Sequence, residues 1–538
     1  MSRGALMYRI PGAAAALASA LLVSGSLAAP APARDAKAVN PGAVVIATGF
    51  EKPEQRAAWS ADPRARWVGS DRGSMALRVS VPAGSEAESH LVAMPLDLGK
   101  YRGCTLLFEC LAKAEGVSKP PQTYLGVKYM LHYQSNSGPL WKNEDGVYGT
   151  FGWKKLRFTA PISLDAEDGS LSLGLQSSSG TVWFDDLRVT VVKPPRAPRP
   201  QPPINPPPAY KGHNLPRLRG VMSPNEFRDE DLRVLGQEWK ANLIRWQLTS
   251  SWGKPGTDRD LVAYDRWLDG KLDELDKVLV ACKRYGIKAV IDLHTPSGGR
   301  YPNMEMALFQ EPLYQDHFVK TWQRIAKRYK GNPAVWAYDL VNEPVQETPS
   351  PEGVADYLGA QVNAARAIRA IDRDTTILIE SSGWDSAEAY KDLDPVDVAR
   401  VVYQVHMYVP HQFTHQGVSS PSAPIAYPGV IDGVKWDKEQ LRKVLQPVRE
   451  FQLAYNVHIY CGEFSAIRWA PGDSAYRYLK DCIDLFEEYG WDWSYHAYRE
   501  WDGWSVEHGP DPNDHTPTPE PTDRKKLLLS WFAKNVKP

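Results

Sequence analysis

The sequence predicts a (β/α)8 TIM barrel of the α/β class preceded by an all-β sandwich, and three observations carry that prediction. Between residue 210 and residue 538, apolar β-type runs alternate with amphipathic helical stretches eight times over. Residues 40–192 instead show short runs of alternating apolar and polar residues, with no long 3.6-period helix. Between them, residues 193–209 carry nine prolines from Pro194 to Pro208. Such a stretch can form neither helix nor central strand, so it is expected to be an extended, semi-rigid spacer with few contacts crossing it.

In the barrel region the strands are expected at Leu218–Met222, Asn242–Leu248, Ala289–His294, Val335–Val341, Thr376–Glu380, Val401–Tyr408, His458–Glu463 and Trp493–Tyr498. Many are continuously apolar, as a parallel sheet buried on both faces requires. The helical stretches Leu268–Tyr285, Leu313–Tyr329, Val354–Ile371, Lys438–Phe451 and Ser474–Tyr489 lie between them. In the sandwich region, Met75–Val81, Tyr124–Tyr133 and Lys155–Phe158 show the period-2 alternation of half-buried strands.

Residues 1–33 read as a secretory leader, with Arg3 and Arg9 ahead of an Ala- and Leu-rich apolar run and small residues after it. The mature chain is therefore expected to be secreted, extracellular or periplasmic, because no later stretch reaches the ~18 apolar residues of a membrane span. A net charge of −1, from 63 Lys+Arg against 64 Asp+Glu, gives no basic surface for nucleic acid or an anionic membrane. Cys104 and Cys110 would sit about 20 Å apart on one strand, beyond disulfide reach. Together with Cys282, Cys461 and Cys482, in separate barrel elements, they are expected to be buried thiols, and none has metal-ligand spacing.

Two glutamates stand out. Glu343, in Val341-Asn342-Glu343-Pro344, and Glu463, in Gly462-Glu463-Phe464-Ser465, each follow an apolar run and lie 120 residues apart. Parallel barrels bring strand C-termini to one face, so two such carboxylates can flank one bound substrate. Paired carboxylates there suit cleavage of a glycosidic bond. Of the 19 tryptophans, 14 follow residue 210; most are expected in the core, and some as flat platforms for the apolar faces of sugar rings.

Five segments in order, Asn242-Leu243-Ile244-Arg245, Asp292-Leu293-His294, Asn342-Glu343-Pro344, His406-Met407-Tyr408 and Gly462-Glu463-Phe464, resemble glycoside hydrolase family 5, cellulase-type (β/α)8 retaining enzymes. The resemblance covers Leu215 to Val536. It implies that Glu343 is the general acid/base and Glu463 the nucleophile, with no cofactor required. It further implies that Arg245 keeps Glu463 ionised, Tyr408 donates to Glu463, His406 lies beside Glu343, Asn342 meets the sugar 2-hydroxyl and His294 contacts the reacting sugar. Many relatives end the eighth strand with a tryptophan beneath that sugar; here Trp501, or else Tyr498, is the candidate. The implied activity is hydrolysis of a β-glucan-type poly- or oligosaccharide, with β-mannanase, exo-β-glucosidase or glycolipid glycosidase as alternatives within the family. A non-catalytic glycan-binding protein is the alternative of another class. The enzyme is expected to be a monomer.

His411 and His415, four residues apart after the sixth strand, are read as lining the cleft in preference to binding a metal. The loop His411–Trp436 is long enough to close one end of it. Gly49-Phe50-Glu51 and Trp183–Val189 resemble the first and last strands of jelly-roll carbohydrate-binding modules. That resemblance implies a sugar-binding sandwich and a possible structural calcium at Glu51 and Asp185.

Overall fold

The computed structural model describes residues 40–135, 138–195, 197–418 and 423–538; the leader read in residues 1–33 lies outside them. Eight parallel strands close into a barrel: Arg219–Met222, Leu243–Gln247, Lys288–Asp292, Val335–Asp339, Thr376–Glu380, Val401–Met407, Ile459–Phe464 and Asp492–Tyr495. Each pairs with the next, and the eighth pairs back to the first through Arg219 opposite Trp493. Gly220, in the first strand, packs against the second so closely that a Cβ there would meet the Leu243 carbonyl oxygen. Only glycine allows that approach.

The helices begin and end where the sequence supplies caps. Asp260 accepts from the backbone N–H of Val262 and Ala263, so the first long helix starts at Leu261 and ends at Tyr285 before Gly286 at φ 71°. Asp356 and Asp437 cap the helices Tyr357–Arg369 and Lys438–Tyr455 in the same way. The apolar stripes of these helices and of Pro312–Tyr329 and Ser474–Tyr489 bury Leu268, Trp322, Ile368, Phe451 and Phe486 against the outer face of the barrel. Inside the barrel, Leu218, Val290, Trp336, Leu378, Val402 and Tyr460 form a second apolar cluster. Near it, Asp492 Oδ2 lies 2.7 Å from the Nε2 atoms of both His213 and His458.

Residues 40–193 form two antiparallel sheets. One places Ala65–Gly69, Met75–Val81, Gly180–Lys193, Thr105–Val117 and Gly149–Pro161 side by side, with Val44–Thr48 pairing further along Gly180–Lys193 beyond Met75–Val81. The other runs Ser89–Asp97, Asp168–Gln176, Gly126–Ser135, Gly138–Asn143. Phe108, Tyr129, Phe158, Leu173 and Val189 fill the core between them. All five cysteines are buried and unpaired. Among the described residues, no helix is long and apolar enough to cross a membrane.

One sequence expectation needs correction here. The proline-rich stretch is not a free tether: Asn456 Nδ2 donates to the Pro207 carbonyl at 2.9 Å, and Arg199 bonds the carbonyls of Pro447 and Tyr390. The sandwich touches the barrel as well, through Lys142 Nζ and Glu347 Oε2 at 3.0 Å. The residues named for a calcium ion, Glu51 and Asp185, lie among protein partners. The Arg56 guanidinium takes the carbonyls of Phe50 and Glu51, and Asp185 accepts from Ser74 and from the Asp186 N–H with Arg72 Nε 3.8 Å away.

Candidate active site

Arg245, in the second strand, is wholly buried at the centre of a carboxylate cluster. Its Nη1 donates to Glu463 Oε1 at 2.6 Å and its Nε to Asp339 Oδ2 at 2.7 Å. Nη2 lies 3.2 Å from Glu380 Oε1 and 3.3 Å from Asp292 Oδ2, and donates to Asn342 Oδ1 at 3.0 Å. Burial opposes the guanidinium charge, but Asp292, Asp339, Glu463 and Glu380 outweigh it and hold Arg245 cationic.

One arginine cannot neutralise so many buried anions, and the cluster answers by keeping protons. Burial first, then Asp385 and Asp339, pushes the Glu380 carboxyl well above the usual range. Burial likewise raises Asp385 to about 8, against the opposing pull of His406. Glu463 goes the other way. Burial would raise its pKa, but His406, His496, Arg245 and His294 pull it far down, so it is ionised at neutral pH.

Glu463 sits in the seventh strand and also accepts from the Tyr408 hydroxyl at 2.8 Å. Gly462 before it leaves room for the Gln404 side chain, whose amide donates to Asp339 and Glu380. Glu343 does not end its strand as expected. The strand stops at Asp339, and Glu343 stands four residues on with φ 51°, a conformation rare for a residue with a Cβ. Such strain costs on the order of 1–3 kcal/mol and persists only where the surroundings fix it. Here Glu380 Oε2 accepts from the Glu343 N–H at 2.6 Å, and Arg300 Nη2 donates to its carbonyl at 2.9 Å. The Glu343 side chain is 20% exposed, against 5% for Glu463, so it remains reachable from the mouth of the barrel. A carboxylate oxygen of Glu343, one of Glu463 and a ring nitrogen of His406 lie within 4.8 Å of one another.

His406 Nδ1 is 3.0 Å from Glu343 Oε1. Burial lowers its pKa, but Glu463, Glu343 and Asp385 raise it more, to about 9. A folded-state pKa above the unfolded 6.5 gives a contribution to stability that is complete below about pH 6.5 and lost as pH rises to about 9. The difference is worth about 3 kcal/mol. Urea unfolding of the wild type should lose stability between about pH 6 and pH 9.5, the His406 share adding to the loss as Asp385 gives up its proton near pH 8. His406→Gln should show clearly less; an unchanged slope in that variant would remove His406 as the source.

The other residues named from the sequence divide. His294 Nδ1 bonds Asp292 Oδ2 at 2.8 Å, leaving Nε2 to face the Asn342 amide at 3.4 Å. Trp501 is 39% exposed, edge-on to Trp469 and Trp504. Tyr498 is a core residue: its ring packs edge-on against Trp239 and its hydroxyl donates to the Asp231 carbonyl, so no face is left for a sugar. His411 and His415 stack with ring centroids 3.9 Å apart, and no third possible ligand joins them among the described residues. Burial and the nearby His411 and His496 push His415 down to about 3, so it is neutral.

Sequence reading missed His496. It follows the eighth strand, with Nδ1 2.5 Å from the Tyr408 hydroxyl and Nε2 3.0 Å from Glu500 Oε2, which also accepts from Gln247. Burial lowers its pKa, and Glu500 and Glu463 raise it further. Also missed were Trp252, after the second strand, and Trp384, after the fifth. Both are exposed on the side where the strands end, as Trp501 is.

A buried arginine, two close carboxylates and exposed tryptophans around one barrel mouth agree with what comparison with known proteins finds. Residues 208–502 match the family described as Cellulase (glycosyl hydrolase family 5). Endoglucanase C of Acetivibrio thermocellus is 31% identical over 253 residues, 42% of this chain and 72% of its own length. Cellodextrinase A of Ruminococcus flavefaciens is 27% identical over 227 residues, 40% of this chain and 65% of its own. The cellobiose complex of Thermotoga maritima Cel5A is 21% identical, covering 58% of this chain and 96% of its own, with a TM-score of 0.45. With the matched region spanning the barrel strands and both glutamates, the chain belongs to the cellulase family, glycosyl hydrolase family 5, and is a glycosidase.

Proposed function

We propose that the chain is an exported enzyme that hydrolyses β-glucan chains with retention of anomeric configuration. Glu463 attacks the anomeric carbon while Glu343 gives its proton to the departing glycosidic oxygen, and the C–O bond to that oxygen breaks. The glycosyl ester on Glu463 is then attacked by water. Glu343, now a carboxylate, takes the water proton, and Glu463 leaves as a carboxylate. The observation that carries this reading is that one oxygen of each carboxylate lies within 4.8 Å of the other. Retaining enzymes hold them at about 5–5.5 Å, whereas inverting ones need about 6.5–9.5 Å to admit a water.

The supporting chemistry fits each step. Arg245 and Tyr408 hold Glu463 ionised and oriented, and the Asn342 and His294 pair lines the place where the reacting sugar would lie. Trp252 and Trp501, on separate loops, suit a chain of sugars lying across the mouth, and Trp384 adds only the face away from the Arg300 guanidinium, which lies 4.8 Å from its centroid. The leader-like residues 1–33 support export. Hydrolysis of cellulose, mixed-linkage glucan, laminarin, mannan and xylan should favour a β-glucan. Proton NMR of the first product should show the β-anomer. Activity confined to mannan or xylan would overturn the substrate class, and an α-anomer would overturn the mechanism.

A further inference from the structure

A cleft of about 1280 Å³ lies between the sandwich and the rim of the barrel. Its barrel wall is the loop after the third strand, around Tyr301 and Asn303, together with Glu347 and Thr348. Both parts are tied to the reacting centre. Arg300, next to Tyr301, bonds the Glu343 carbonyl, and Glu347 follows Glu343 by four residues, at most ~14 Å of chain. Glu305 fixes this wall by accepting from the Glu347 and Thr348 backbone N–H groups and the Thr348 hydroxyl.

The sandwich wall is built from the edge strand Gly138–Asn143 and the turn before Gly126–Ser135. Trp141 is 58% exposed here. His132 stacks on it, with centroids 3.5 Å apart and rings 22° from parallel, so its exposure falls on the opposite face. Other tryptophans of the sandwich surface are engaged by cations: Arg72 lies over Trp153 and Lys113 over Trp183. At the base of the cleft Lys128 is almost wholly buried, its ammonium bonded to Asn143 Oδ1 at 3.0 Å and to the Tyr124 carbonyl. The Lys142–Glu347 ion pair and a hydrogen bond from the Thr159 hydroxyl to the Glu347 carbonyl seat the two walls against each other.

We propose that this cleft binds the part of a β-glucan chain that extends beyond the reacting sugars, with the free face of Trp141 as its stacking platform. A pyranose ring offers an apolar C–H face to an aromatic ring, while its hydroxyls need amides and charged groups around the edge. Trp141 meets the first need, and Asn143, Asn303 and Gln310 the second. The same cleft sets Glu144, Asp145, Glu305 and Glu347 against Lys128, Lys142, Lys154, Lys155 and Arg157, so it offers no single sign of charge to a charged chain, and a neutral glucan fits it. The sandwich then completes the substrate site from the side, instead of binding sugar on a separate surface.

This inference rests on the glycosidase reading above, and its test separates the two. Trp141→Ala in the full chain should leave kcat/KM on an aryl β-cellobioside unchanged, because that substrate ends near Glu343. On a β-1,4-linked hexasaccharide it should raise KM roughly tenfold with little change in kcat, as the loss of one stacking contact implies. Trp141→Phe should recover most of the loss. Calorimetric binding of the same hexasaccharide should weaken in parallel, and that measurement stands even if the wild type turned over neither substrate. Unchanged hexasaccharide affinity, or equal losses on both substrates, would overturn the cleft as a glucan site.

Discussion

Glu463→Gln loses turnover on every glycan by a factor on the order of 10⁴ or more, the scale seen when an enzyme's nucleophile is removed. The amide keeps the shape of the side chain and an oxygen for Arg245, which now bonds Oε1 at 2.6 Å, while its NH2 takes the place of Oε2 and can donate to the Tyr408 oxygen 2.8 Å away. What it lacks is a charged oxygen able to form the glycosyl ester. The fold should hold, because Arg245 retains Asp339 at 2.7 Å and Asp292 at 3.3 Å, so its charge is not left alone in the barrel. The measurement pairs initial rates with thermal unfolding and oligosaccharide binding. A variant that folds, binds and still turns over at the wild-type rate would remove Glu463 from the reaction.

The barrel was legible because its signals are local. Continuous apolar runs placed all eight strands, with boundaries within four residues of those observed, and cap residues such as Asp260 account for where the helices begin earlier or later than expected. The contacts among Arg245, Glu463, Tyr408, His406 and Glu343 follow from strand ends meeting on one face. The proton-holding layer beneath them was not read, although a signal existed. Glu380 ends an apolar strand just as Glu343 was expected to, and Asp385 follows it by five residues. Charge in a buried site depends on how many groups converge there, and one sequence lists them without their distances. The eighth strand misled for another reason. Once the strand ends at Tyr495 the chain turns, so His496 faces Tyr408 while Tyr498 is carried outward to Trp239 and Asp231. Counting along the segment could not give that turn. The sandwich–barrel contact was equally out of reach, since proline content describes a linker's stiffness and not what lies beside it.

Glu343→Ala separates the two chemical steps. On a polysaccharide, whose leaving group is a poor one, the rate should fall by roughly 10²–10⁴-fold, because the departing oxygen receives no proton. On an activated aryl glycoside the first step should be largely spared, and the glycosyl ester on Glu463 should accumulate, since water then lacks its base. Azide needs no base. Added azide should therefore restore turnover and give the β-glycosyl azide, the product of two inversions at one carbon. The geometry supports this division of roles. Glu343 is the more exposed of the two carboxylates and bonds a histidine, whereas Glu463 is buried against an arginine and a tyrosine that favour its anion. His406→Gln adds a control, because it removes the partner of Glu343 while leaving the carboxyl group, and its aryl glycoside and polysaccharide rates should fall together. If azide instead rescued Glu463→Ala with a β-product and left Glu343→Ala inactive, the acid/base and nucleophile would have to be exchanged.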